Sequence, residues 1–175
     1  MSLYTPEKHW WKPMDREEMI WVTIAFIWCQ LITFIMPFSH AYGKHNPPAV
    51  TSKASTAEYG AKVDKFIAEN KTGEEAGVAV VEVKPEVKEI YIVGRSYQWE
   101  PVLKLQQGKE YILHLSSGDY EHGMSIQPMN MNIMALPGYD YHLRITPDQA
   151  GEYFIICNEF CGAGHHMMTG KIYVS

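Results

Sequence analysis

From Met19 to Phe38 the chain reads MIWVTIAFIWCQLITFIMPF, twenty residues without one charge. A helix rising ~1.5 Å per residue over that length crosses a hydrocarbon core of ~30 Å. A run this apolar cannot lie exposed on a small soluble domain, so a transmembrane helix over 19–38 is expected. Thr23, Cys29, Gln30 and Thr33 are the polar or near-polar residues in it. In lipid such side chains face partner helices, which predicts a neighbouring membrane subunit; Cys29 itself reads as a small packing residue. A cleaved signal peptide is the competing reading, because Ser39-His40-Ala41 looks like a processing site, but the run is longer than a usual signal core. Lys8, Lys12 and Arg16 precede the run, and the next basic residues are Lys44 and Lys53. That bias places the N-terminal segment 1–18 in the cytoplasm and the rest outside. Trp10, Trp11 and Trp21 suit an interfacial belt, and His9, His40 and His45 are expected in solvent.

The remainder is long enough for one modest domain: the chain has 175 residues in all. Its net charge of −5, from 15 basic and 20 acidic residues, offers no field for phosphates and excludes nucleic acid as a partner. Three cysteines cannot build a disulfide scaffold. Segment 39–76 reads as a linker, Pro- and Ser/Thr-rich at first, with a short amphipathic helix over Thr56–Asn70 that carries Tyr59, Val63, Phe66 and Ile67 at helical spacing. From Gly77 the period shortens to β-rich runs such as VAVVEV, EIYIVGRSYQW, EYILHLSS and GEYFIIC, separated by Gly and Pro turns. A mainly β fold is expected over 77–175, a Greek-key sandwich of about nine strands.

Between GEYFIIC and the last run, GKIYVS, lies CNEFCGAGHHMM, residues 157–168. Two thiols, imidazoles and thioethers within twelve residues favour a thiophilic metal, since Mg²⁺ and Ca²⁺ want oxygens. A Cys157–Cys161 disulfide would close a trivial loop and leave the His and Met spacing unexplained. A structural zinc on Cys157, Cys161, His165 and a second His has no need of a thioether. A mononuclear blue-copper site uses one Cys, two His and a weak axial Met, which leaves one thiolate over. Two thiolates can instead bridge two copper ions, each with one His and one weak axial ligand. That arrangement needs a histidine from elsewhere, and His122 is the best placed because it opens a strand after the Ser117-Gly118 turn. His114 and His142 sit inside strands and read as packed or surface residues. Met124, Met129, Met131 and Met134, at near-alternate spacing, read first as core or docking hydrophobes.

The pattern Cys-x-Glu-x-Cys-x3-His-x2-Met, with His122 in Asp-x-x-His-Gly 35 positions before Cys157, resembles the CuA motif of cytochrome c oxidase subunit II. The similarity covers about 89–175, and the single N-terminal span is similar to the short form of that subunit in the B family of haem-copper oxidases. The resemblance implies a cupredoxin-like sandwich with a dinuclear copper centre. Cys157 and Cys161 would bridge the ions, His122 and His165 bind one each, Met168 be axial, and Glu159 coordinate through its carbonyl. It leaves Met167 and His166 as non-ligands and permits Mg²⁺ at the Glu159 carboxylate, at the interface with the catalytic subunit. It further implies electron transfer from cytochrome c or a similar periplasmic donor to the haem of catalytic subunit I of a proton-pumping oxidase in the cell membrane, with no O2 chemistry on this chain. Tyr97 and Trp99, in Gly94-Arg95-Ser96-Tyr97-Gln98-Trp99, resemble the aromatic stretch where the family receives electrons, although a longer tryptophan-rich form is missing. The same module in a nitric oxide reductase and an anchored cupredoxin carrier are the alternatives. Residues 40–175 carry 12 basic against 16 acidic residues, so an acidic surface for a basic cytochrome is expected if Asp119, Glu121, Asp140 and Asp148 come together.

Overall fold

A computed structural model describes residues 13–42 and 50–175. The chain divides into two compact units, Met1–His45 and Asn46–Ser175. The interfacial roles expected of Trp10 and Trp11, and the placement of His9 and His45, lie outside the described residues.

Helix α1, Arg16–Tyr42, extends past both ends of the apolar run. Asp15 and Glu18 cap its start reciprocally: the Glu18 amide donates to Asp15 Oδ1 at 2.8 Å and the Asp15 amide donates to Glu18 Oε2 at 3.1 Å. None of its residues is buried within the unit, and Trp21, Phe26 and Phe34 stand exposed on its surface. A helix apolar on all sides belongs in lipid or in a large core, and by length and mean hydropathy of 2.1 it can cross a membrane. The Thr23 hydroxyl donates to the Met19 carbonyl and that of Thr33 to the Cys29 carbonyl. Both hydroxyls are therefore satisfied within the helix, and neither requires the partner-helix acceptor expected from the sequence.

The second unit is a two-sheet sandwich. One sheet orders its five strands as β1 (Val50–Lys53), β10 (Tyr139–Ile145), β7 (Tyr111–Ser117), β4 (Glu89–Arg95) and β5 (Gln98–Glu100). The other orders seven as β2 (Lys71–Glu75), β3 (Val78–Glu82), β6 (Val102–Leu105), β12 (Thr169–Val174), β11 (Gly151–Cys157), β8 (His122–Gln127) and β9 (Met131–Ala135). The side-chain period of two assigns the faces. Ile90 and Ile92 of β4, Leu113 and Leu115 of β7, and Leu143 and Ile145 of β10 point inward to meet Leu103, Met124, Ile126, Tyr153, Ile155 and Ile172. Met124 and Met131 belong to this core, Met129 packs against it, and Met134 is exposed.

Two strands lay beyond sequence patterning. β1 falls in the stretch read as linker, and all four of its residues are exposed; it exists because its backbone pairs with β10. β2 is nearly as exposed and is held by β3, across a tight turn in which Gly77 takes φ +83°. With these two, and with the run EIYIVGRSYQW divided into β4 and β5, the count is twelve strands where about nine were expected.

Helix α2, Thr56–Asn70, covers the outer face of the five-stranded sheet, burying Tyr59 and Val63 against Val93. Ser55 and Glu58 form a capping box at its start, and the Tyr59 hydroxyl donates to the Ile92 carbonyl at 2.9 Å. Ser55→Ala removes the side-chain acceptor for the Glu58 amide and should lower stability by about 0.5–2 kcal/mol, read as a shift in the urea midpoint with an unchanged slope.

Candidate metal centre

β8 and β11 are antiparallel neighbours with Cys157 opposite Met124, so His122, two residues before Met124, reaches the end of β11. Beyond Cys157 the loop is pinned at both ends: the Asn158 amide donates to the Gly123 carbonyl at 3.0 Å and the Cys157 amide to the Met168 carbonyl at 3.1 Å. A 3₁₀ turn over His165–Met167 then reverses the chain into β12. Two close approaches make room for this path. A Cβ on Gly123 would lie 2.0 Å from Asn158 Oδ1, and one on Gly164 would lie 2.2 Å from the Tyr97 ring. Tyr97 thus packs closely against the loop, which only glycine at position 164 permits.

The donors converge in two matching sets. Cys157 Sγ lies 3.8 Å from His122 Nδ1 and 3.3 Å from the Glu159 carbonyl oxygen. Cys161 Sγ lies 3.7 Å from His165 Nδ1 and 3.8 Å from Met168 Sδ. The two sulfurs are 3.8 Å apart, and both thiols are free, which removes the disulfide alternative. His122, Cys157, Cys161 and Met168 are buried, whereas His165 is partly exposed. His166 and Met167 face outward.

Asp119 orients the buried imidazole. Its Oδ1 is 2.8 Å from His122 Nε2, which leaves Nδ1 free to point at Cys157. Its Oδ2 accepts from both the Ser96 amide, at 2.7 Å, and the Ser96 hydroxyl, at 2.6 Å. Partial burial pushes the Asp119 carboxyl up, but hydrogen bonds from Ser96, His122 and Tyr120 outweigh it and hold the pKa at about 2. The opposite shift occurs at Cys161, where burial and the neighbouring Cys157 thiol raise the pKa to about 11. Asp119 stood inside the Asp-x-x-His pattern, yet its role was not read from it, because a three-residue spacing does not say which way a carboxylate turns.

The aromatic residues take different stations. Trp99 is buried, with its ring edge-on to His122 at 5.8 Å. Tyr97 is half-buried and lines a surface depression with Tyr120, Glu121, Phe160, Cys161 and Gly162. The four acids do not form one surface patch, because Asp140 is 1% exposed and Asp119 is turned to Ser96 and His122.

The donor set fits copper. Two thiols, two imidazole nitrogens, a thioether and a carbonyl oxygen form a soft, closed shell, which suits copper better than Mg²⁺ or Ca²⁺. Among known proteins, a family model for the periplasmic domain of cytochrome c oxidase subunit II matches residues 96–174. Cytochrome c oxidase subunit 2 of Thermus thermophilus is 36% identical over 97 residues, 55% of this chain and 72% of that protein. A chain of a haem-copper terminal oxidase dimer solved by cryo-electron microscopy superposes with a TM-score of 0.59 and 26% identity, covering 91% of this chain and all of the other. A rusticyanin variant superposes at 0.50 with 18% identity, over 72% of this chain and 98% of its own; that likeness is one of fold, a cupredoxin-like sandwich.

Replacing Asp119 by Asn removes the negative charge and turns one of two acceptor oxygens, both in use, into a donor; with the hold on the His122 ring weakened, copper affinity should fall roughly 10–100-fold, measured by competition with a chelator. Because the Cys161 thiol is protonated at neutral pH without metal, copper uptake should release protons and tighten as pH rises, which a weakly buffered titration reads directly.

Proposed function

Because this chain belongs to the family of cytochrome c oxidase subunit II, we propose that it is the electron-accepting subunit of a haem-copper terminal oxidase. His122, Cys157, Cys161, His165, Met168 and the Glu159 carbonyl hold a dinuclear copper centre in this reading. Copper bound there would supply a one-electron couple, with Cys157 and Cys161 as the thiolates that would hold it. The observation that carries the reading is the equivalence of the two halves: each sulfur has its own imidazole and its own weak donor.

The protein's own residues then do three things. Burial of both cysteines, His122 and Met168 keeps water away from the sulfurs. With six donors facing inward, no position remains for a substrate, so the site passes electrons and performs no O2 chemistry. The Asp119–His122 hydrogen bond holds one imidazole in a single tautomer through the redox change.

Electrons enter from cytochrome c or a similar periplasmic donor by way of the depression at Tyr97, with the Trp99 ring packed on His122 as the inner contact. They leave to haem in catalytic subunit I, which carries the O2-reducing, proton-pumping chemistry. The Glu159 carboxylate is exposed beside the centre and holds Mg²⁺ at the interface with that subunit. α1 anchors the chain as a single-pass cell-membrane protein, N-terminus cytoplasmic and sandwich periplasmic, in agreement with the basic residues before the span.

Full-length chain reconstituted with copper should contain two coppers and, when oxidised, show an electron paramagnetic resonance signal split by both nuclei. Cys157→Ser and Cys161→Ser should each abolish that signal, while His166→Ala keeps it. Equal loss in all three, or one copper with a four-line spectrum, would refute the ligand assignment. Met168→Leu should retain copper and shift its potential, since a weak axial ligand tunes more than it holds.

A further inference from the structure

A second group of metal-ligating side chains lies on the other sheet. His114 of β7 and His142 of β10 stand directly opposite each other in the antiparallel ladder, and Asp140, two residues before His142, shares their face. This is the outer face of the five-stranded sheet, since the alternate residues Leu113, Leu115 and Leu143 fill the core. His114 Nδ1 lies 3.0 Å from Asp140 Oδ1, and His142 Nε2 lies 3.3 Å from Asp140 Oδ2. One donor atom from each of the three residues falls within 4.8 Å of the other two.

We propose that His114, Asp140 and His142 form a second metal site, separate from the cysteine centre, that takes one divalent ion of the zinc class. The spacing fits: tetrahedral bonds of ~2.0–2.1 Å put neighbouring donors ~3.3 Å apart, close to both carboxylate–imidazole distances. The donor chemistry fits as well, two imidazoles and a carboxylate being a borderline nitrogen and oxygen set. The Ser52 hydroxyl of β1 stands beside the group, 3.4 Å from His142 Nε2.

Charge supplies the independent reason. Asp140 is 1% exposed, and a carboxylate so buried needs compensation. Lys62 of α2 approaches it only to 3.5 Å, from a half-exposed position. His114 cannot serve well as a cation, because it is buried, stacked on the Tyr91 ring at 4.5 Å, and its Nε2 has no hydrogen-bond partner. Burial keeps its pKa below the ordinary histidine value although Asp140 pulls it upward. A neutral imidazole is the form that ligates metal, and a dication at the meeting point of the three side chains adds to the single long ion pair that Lys62 makes with Asp140.

The test uses full-length chain carrying Cys157→Ser and Cys161→Ser, which removes the competing thiols. Zinc chloride is added in a calorimetric titration, and cobalt(II) in a parallel optical one. One zinc per chain is expected, with visible cobalt bands of low-coordinate type. Asp140→Asn or His142→Gln in the same background should weaken binding by at least the ~10–100-fold typical of losing a supporting group; His142 is partly exposed, so its replacement spares the core. No zinc uptake, or uptake that neither substitution changes, would overturn the proposal. A second measurement does not depend on the cysteine variant: copper-loaded wild-type chain, incubated with zinc and desalted, should retain one zinc that His142→Gln loses. Retention of none, or equal retention in the variant, would overturn it equally.

Discussion

β8 and β11 lie side by side and antiparallel, and their register sets Cys157 opposite Met124 with His122 two residues away. Everything at the cysteine centre follows from that ladder. A histidine 35 positions distant in the chain becomes a neighbour of the first thiol, and the Asn158 amide closes on the Gly123 carbonyl. The loop is then short enough, and anchored firmly enough at Cys157 and Met168, that Cys161, His165 and Met168 fold back over the same spot. A slip of one residue in this pairing would turn His122 to the opposite face of the sheet and leave the thiols with a single imidazole.

Both faces of the sandwich carry buried polar groups, and each group solves the cost of burial differently. At the cysteine centre burial and the neighbouring Cys157 push the Cys161 thiol up to about 11, so without metal that thiol adds no buried charge at neutral pH. On the outer face of the five-stranded sheet, Asp140 is buried amid two imidazoles and meets Lys62 at 3.5 Å.

Much of this was legible in the chain. The uncharged run announced α1, and Tyr59, Val63 and Phe66 at helical spacing marked α2, because helical periodicity is a local property. The run GEYFIIC, read as a strand, is β11, with Tyr153, Ile155 and Cys157 on its buried face. β1 could not be read, since an exposed edge strand of four polar or small residues carries no hydrophobic pattern and exists only through its partner β10. Asp140 was read as a surface acid, because aspartate in a strand next to tyrosines gives no sign that a helix and two histidines close over it. The Thr23 and Thr33 side chains, expected to face a partner helix, each donate to the carbonyl four residues earlier, a local bond that composition does not announce.

What the amino-acid order determined by itself was the set of donors. Cys157, Glu159, Cys161, His165 and Met168 are close along the chain, so their chemistry and spacing specify a soft-metal loop before any folding is considered. What tertiary structure alone decided was how the distant groups that join that loop are turned: Asp119 aimed at the His122 ring, Tyr97 packed on Gly164, and Trp99 sealed against His122. Strand adjacency and register come from packing the whole sandwich at once. A residue's own neighbours in sequence therefore carry almost no record of the partner it meets across the sheet.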